Sequence, residues 1–176
     1  MGKGFPRSLK RQNKSVAAIV KDTIDMSNFT VTVSAAGAGV GFGSVQIHDF
    51  PQGNILLVGV GGTVGFAGSG SDANLTDDWI GDFGIGTTAA DDATITGADV
   101  DIVASQDTTI ASSEVVAAQR VAEAHADAGG LFDNTDGSLE VNFNMLIDAA
   151  EITDASSVEI TLSGSIDIAY IVLGDD

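Results

Sequence analysis

Few residues in this chain could do chemistry. It has no cysteine and two histidines, His48 and His125. A catalytic histidine needs a nucleophile to deprotonate and a carboxylate to orient its ring. His48 stands beside Asp49 just before a turn signal, with Ser44 upstream and no nucleophile-elbow pattern around it. His125 lies between Glu123 and Asp127, again with no nucleophile in a recognisable setting. Both read as surface or edge residues. Gly37-Ala38-Gly39-Val40-Gly41-Phe42-Gly43 has the glycine density of a phosphate-binding turn. A dinucleotide loop must open directly into a helix, however, and Ser44–Ile47 reads as strand. The glycines between Gly59 and Gly65 fail the same test and lack the Gly-Lys-Ser/Thr of a P-loop.

Carboxylates are abundant, 25 in all, with adjacent pairs such as Asp77-Asp78, Asp91-Asp92 and Asp175-Asp176. General acid–base catalysis needs two carboxylates held in different environments, and pairing by proximity in sequence is expected by chance at this density. Asp133, Asp136 and Glu140 surround Gly137 but miss the spacing of a calcium loop. A surface calcium site is therefore one alternative, not the main reading. Trp79 and Tyr170 are the single residues of their types. A sugar- or base-stacking platform needs several aromatics on one face. No cofactor is expected, and the chain reads as non-enzymatic.

The charge map is more informative. Residues 1–21 carry +6, from Lys3, Arg7, Lys10, Arg11, Lys14 and Lys21, with no acid before Asp22. Residues 22–176 carry −24, with Arg120 as their one basic residue, for a net charge of −18. The acidic body would repel nucleic acid and anionic membranes, so neither is an expected partner. The basic stretch would be drawn to acidic surfaces. No apolar run approaches the ~18 residues of a membrane-spanning helix. Val16–Val20 is too short for a signal-peptide core, and Pro6 stands where a myristoylation motif needs Ser or Thr.

The elements behind these residues read as strands. Hydrophobic residues make up 44% of the chain, aromatics 6%, and glycine 22 of 176 residues, so the core is aliphatic and the turns are glycine-rich. Phe29–Val33 and Val45–Ile47 alternate. Ile55–Val60 is continuously apolar, Gly61-Gly62 reads as a break, and Thr63–Ala67 as a further short strand. Asp77–Gly86 is a glycine-kinked strand holding Trp79, Phe83 and Ile85. Thr94–Thr96 and Val100–Val103 read as short strands. Ser112–Ala126 is the one helix candidate, with a serine cap, good helix formers and Gly129-Gly130 to end it; a long loop is the rival. Leu139–Ile147 alternates. Val158–Leu162 and Ile166–Val172 read as a hairpin through Ser163-Gly164-Ser165. The expectation is an all-β fold of roughly eight to ten short strands, a β-sandwich or jelly-roll-like domain. Residues 1–21 form a basic N-terminal arm and residues 22–176 the acidic body.

Three segments carry a resemblance: Asp49–Leu57 (DFPQGNILL), Leu75–Gly86 (LTDDWIGDFGIG) and Ile168–Asp175 (IAYIVLGD). Over residues 22–176 the chain resembles small structural proteins of tailed phages that infect marine bacteria. That resemblance implies a capsid decoration, or cement, protein on the outer surface of the virion. It implies a β-sandwich or jelly roll that clusters as a homo-oligomer, with a trimer favoured, and it transfers no catalytic residues. The expected partner is the major capsid protein, docked by the arm through Lys3, Arg7, Lys10, Arg11, Lys14 and Lys21. A tail, fibre or receptor-binding virion module is the alternative, as is a calcium- or carbohydrate-binding β-domain.

Overall fold

A computed structural model of the chain describes residues 18–34, 40–68, 75, 78–110, 117–124, 130–152 and 157–173. Ten strands lie within them: β1 (Val20–Asp25), β2 (Thr30–Val33), β3 (Gly41–Asp49), β4 (Ile55–Gly68) and β5 (Trp79–Gly86), then β6 (Val103–Ile110), β7 (Ala117–Ala124), β8 (Leu131–Phe132), β9 (Glu140–Ile147) and β10 (Val158–Val172). All pairings are antiparallel. One sheet runs β1-β10-β4-β7, with β2 also on β10 and β8 also on β4; the other runs β3-β9-β5-β6. β1 and β2 are two lengths of one path along β10, separated by a 3-10 turn at Met26–Asn28. Counted so, and with β8 as an appendage, the connectivity is that of a jelly roll, two four-stranded sheets face to face.

The strands are amphipathic where one face meets the core. In β10, Val158, Ile160, Leu162, Ile166, Ile168 and Tyr170 are all buried. They share one parity, so the inward face continues through Ser163-Gly164-Ser165 without a reversal. The expected hairpin is therefore absent, and β10 is one strand of 15 residues. Likewise Gly61-Gly62 does not break the chain, and β4 is one strand of 14 residues. The two pair from Ile55–Val172 to Gly68–Ile160, with a bulge at Ala169/Tyr170. Glycine is required where the strands press closest. Gly164 has φ +90°, and a Cβ there would meet the carbonyl of Thr63. A Cβ on Gly62 would meet the carbonyl of Ser165 on the facing strand. The glycines read as turns are what allow two long strands to twist together at close range.

Two further expectations are corrected. The helix candidate Ser112–Ala126 contains strand β7, paired with β4 from Gly59–Ala124 to Phe66–Ala117. Ladder formation along an open edge of β4 outweighs the small intrinsic helix preference of that composition. Thr94–Thr96 is not a strand, and Gly97–Asp99 forms a 3-10 turn. Strand pairing resumes only at Val103.

Between the sheets, Phe66 of β4 reaches the aromatic cluster of the opposite sheet. Its ring centroid is 5.1 Å from Phe83, 6.2 Å from Trp79 and 6.2 Å from Phe143. Phe83 and Phe143 stack at 5.6 Å. Asn142 and Asn144, which alternation would place in solvent, are instead buried. The segment after β5 crosses the outer face of β9, and Asn144 ties it down. The Asn144 amide donates to Thr88 O at 2.8 Å and Asp99 O at 2.7 Å, while its Oδ1 accepts from Ala90 N at 2.9 Å.

Gly164→Ala should lower stability by about 1–3 kcal/mol, the range for a side chain forced into an unfavourable backbone region. A shift of the urea midpoint with an unchanged slope would show this. An unchanged midpoint would mean that the β4–β10 contact is looser than described.

Candidate docking site at the arm root

The candidate site is where the basic segment joins the body. Of the six arm residues, Lys3, Arg7, Lys10, Arg11 and Lys14 lie outside the described residues. Lys21 belongs to β1 and is part of the sheet. Its Nζ is 2.8 Å from Asp167 Oδ2 on β10, and Thr23 donates to the other oxygen of Asp167 at 2.5 Å. Lys21 and then Thr23 hold the Asp167 carboxyl below the ordinary range. This contact faces solvent, with the two ion-pair side chains 60% and 42% exposed. It therefore sets register on the outer face more than it adds stability.

The inner side of β1 is different. Asp22 Oδ2 accepts the Tyr170 hydroxyl at 2.7 Å. His48 Nε2, from β3 in the other sheet, is 3.4 Å from the same oxygen but outside hydrogen-bonding geometry. The His48, Phe50 and Tyr170 rings meet edge-on or tilted, with centroids 5.1–6.5 Å apart. Asp22 is thus the point where the arm root, the central strand β10 and the second sheet converge. Burial first, and then donation to Asp22, pushes the Tyr170 phenol up to about 12. The group is a neutral donor over the ordinary pH range. A histidine and a carboxylate stand together here as in a catalytic triad, but the His48 Nε2 has no hydrogen-bond partner among the described residues.

Asn134 was legible only as part of a turn, and it is a buried hub. Its amide donates to Phe50 O at 3.1 Å and Pro51 O at 2.8 Å, and its Oδ1 accepts from Leu139 N at 2.8 Å. It fixes the Phe50–Asn54 turn that leads into β4 beside Tyr170. Asparagine in an Asn-x-x-Gly turn hints at local bonding, but nothing in the spacing announces a partner more than eighty residues away. Around the same turn, Asp133 accepts from Thr135 and Asp136 from Ser138, through backbone N–H and hydroxyl alike. Those carboxylates close their own turns. Among the described residues no three His, Cys, Asp or Glu side chains are close enough to hold a metal ion. His125 and Gly37–Gly39 lie outside the described residues, and Gly41–Gly43 open strand β3.

A second acidic feature lies on the opposite sheet. Asp82 of β5 faces Asp107 of β6 directly across the ladder. Burial, then Asp107, then Asp148 hold the Asp82 carboxyl above its ordinary value of 3.8. Facing like charges cost stability.

The three segments that carry the phage-protein resemblance are structural in this fold. Asn54–Leu57 and Tyr170–Leu173 lie side by side on β4 and β10, joined at the end by Leu173 N to Asn54 O at 2.8 Å. Trp79, Phe83 and Ile85 line the core. No protein-family model matches the chain, and no curated protein matches it. Among solved structures, VP1 of Trichodysplasia spinulosa-associated polyomavirus is similar over 88% of this chain and 93% of that chain. The identity is 8% and the TM-score 0.22, too low to equate the two folds. The class that the strand order defines is an all-β jelly-roll sandwich.

Two titrations check this site. The one tyrosine of the chain should ionise near 12, and Asp22→Asn should bring its ultraviolet absorbance midpoint down toward the ordinary 10.0. Because the folded value is the raised one, the associated stability is complete below the unfolded value and is lost as pH rises from there through the folded value. For Asp82, also raised in the fold, stability is present below the ordinary carboxylate value and declines above it. Asp82→Asn should therefore stabilise the protein at neutral pH by about 0.2–1 kcal/mol. The gain should vanish in acid, and a gain that persists there would assign the effect to something other than charge.

Proposed function

We propose that this chain is a non-enzymatic virion structural protein, a capsid decoration protein on the outer surface of the shell. The observation that carries the reading is the division of charge at β1. A segment of +6 ends on an edge strand of a body of −24. A polybasic segment rooted at a sheet edge suits capture of an acidic partner surface, here assigned to the major capsid protein. Affinity would be gained through ion pairing at each copy and multiplied by the repetition of the lattice.

The fold is compatible with this role. Jelly rolls occur in viral capsid domains, though also in lectins and cupins, so topology alone does not select among them. The three resembling segments favour the phage protein. Their positions in the core and at the β4–β10 junction fit motifs kept for folding.

Deleting residues 1–14 should leave a body with an unchanged thermal midpoint that no longer co-sediments with purified capsids. Equal decoration by the truncated and full-length proteins would end the arm assignment. Electron microscopy of virions would test the location, because a decoration protein covers the shell in many copies and a tail module does not.

A further inference from the structure

The two lengths of chain that run along β10 are held in different ways. β2 is held by burial and by backbone. Val31 and Val33 are fully buried, and so is Met26 in the turn before them. Phe29 O accepts from Leu162 N at 3.0 Å. Ser34 exchanges two backbone bonds with Phe42 of β3, at 2.9 and 3.2 Å, which fasten the end of β2 to the second sheet. β1 has only side chains for that second task. It is the outer strand of its sheet and, among the described residues, forms a ladder with β10 alone. Its inward positions are Val20, Asp22 and Ile24, and of these only Ile24 is buried.

The middle of that inward face is a carboxylate. Asp22 stands where β2 has valine, with its side chain 37% exposed. It accepts from the Tyr170 hydroxyl of β10 at 2.7 Å, and His48 of β3 stands 3.4 Å away without a hydrogen bond. On the outward face Lys21 and Thr23 meet Asp167. All of these polar groups regain hydration when the strand lifts, which offsets much of the loss of their bonds. The buried valines of β2 have no such compensation.

We infer that β1 is a releasable strap: it lifts from β10 while the rest of the body, β2 included, stays folded, and the Asp22–Tyr170 bond is its clasp. The 3-10 turn at Met26–Asn28 is the boundary, because Met26 is anchored in the core. Few buried apolar contacts and bonds open to water place an element at the low end of local stability. Lifting uncovers the β10 edge from Ser165 to Tyr170. The inference goes beyond the decoration reading and does not rest on it, because it concerns the chain alone.

The test is native-state amide hydrogen exchange on the full-length chain. The β1 amides that donate to β10 should exchange through an opening about a hundredfold or more as frequent as that of β2 and β9. Tyr170→Phe leaves the half-buried Asp22 carboxylate without its donor, and should raise β1 exchange about tenfold with β2 and β9 unchanged. Asp22→Leu/Tyr170→Phe replaces both polar partners by apolar ones, and should return β1 to the wild-type rate or below it. Lys21→Ala, at the exposed outward pair, should change β1 by about threefold or less. Slow exchange of β9 establishes that each variant is folded. Wild-type β1 amides that exchange only together with the whole body would overturn the strap. The clasp would be overturned by a rise in Tyr170→Phe that is absent or shared equally by β2, by a double variant more open than the single one, or by a larger effect from Lys21→Ala.

Discussion

The pairing of β4 with β10 is the constraint on which the other elements depend. These are the two longest strands, and they occupy the centre of one sheet over nearly their whole length. β1 and β2 exist as ordered strands because β10 offers them an edge, and β7 and β8 because β4 does. The pair also carries Phe66 into the aromatic cluster of the opposite sheet. Its closeness rests on Gly62 and Gly164, each of which lies against a carbonyl of the facing strand. A side chain at either point would force the two backbones apart. The core, the edges and the position of the arm root would all feel that displacement, since interiors packed at crystal density cannot absorb it locally.

Polar groups inside this body serve the same end. Asn134 and Asn144 are buried, and each satisfies backbone groups of segments that form no ladder of their own. Buried amides are tolerated only when such partners are supplied. They let two irregular segments lie against the sheets with their backbone groups bonded. By contrast, most of the charge is on the surface, where it answers to solvent and partners. Lys21 with Asp167 and Asp22 with Tyr170 are the exceptions that tie charge to the strand register at β1. One strand thus presents a solvent-facing ion pair on one side and a carboxylate linking both sheets on the other.

Much of the fold was legible in the amino-acid sequence. Alternation in Phe29–Val33, Leu139–Ile147 and the two halves of β10 marked strands, because a half-buried sheet imposes a period of two. The misreadings have a common cause. Gly61-Gly62 and Ser163-Gly164-Ser165 carry the local chemistry of turns, and 112–126 has the composition of a helix. Each preference is worth little beside a long ladder of backbone hydrogen bonds. The even parity from Val158 to Tyr170 did contain the answer, since a true two-strand reversal need not preserve it. Asn144 was missed because a strand buried on both faces differs from a half-buried one only through what crosses over it. That covering segment is distant in sequence and has no pattern of its own.

By itself, then, the sequence determined the all-β class and the division between a basic segment and an acidic body, while the core it marked as aliphatic is built around the Phe66, Trp79, Phe83 and Phe143 cluster. These follow from composition, from side-chain period and from the order of charges along the chain. Only the tertiary structure decided that the glycines join strands instead of ending them, and that Asn134 and Asn144 are anchors. It alone brought Asp22, His48 and Tyr170 together at the arm root. The physical reason is register. Which residues stand side by side in a sheet depends on how distant strands are matched, and that matching is set by the closest fit of whole faces, not by any local preference.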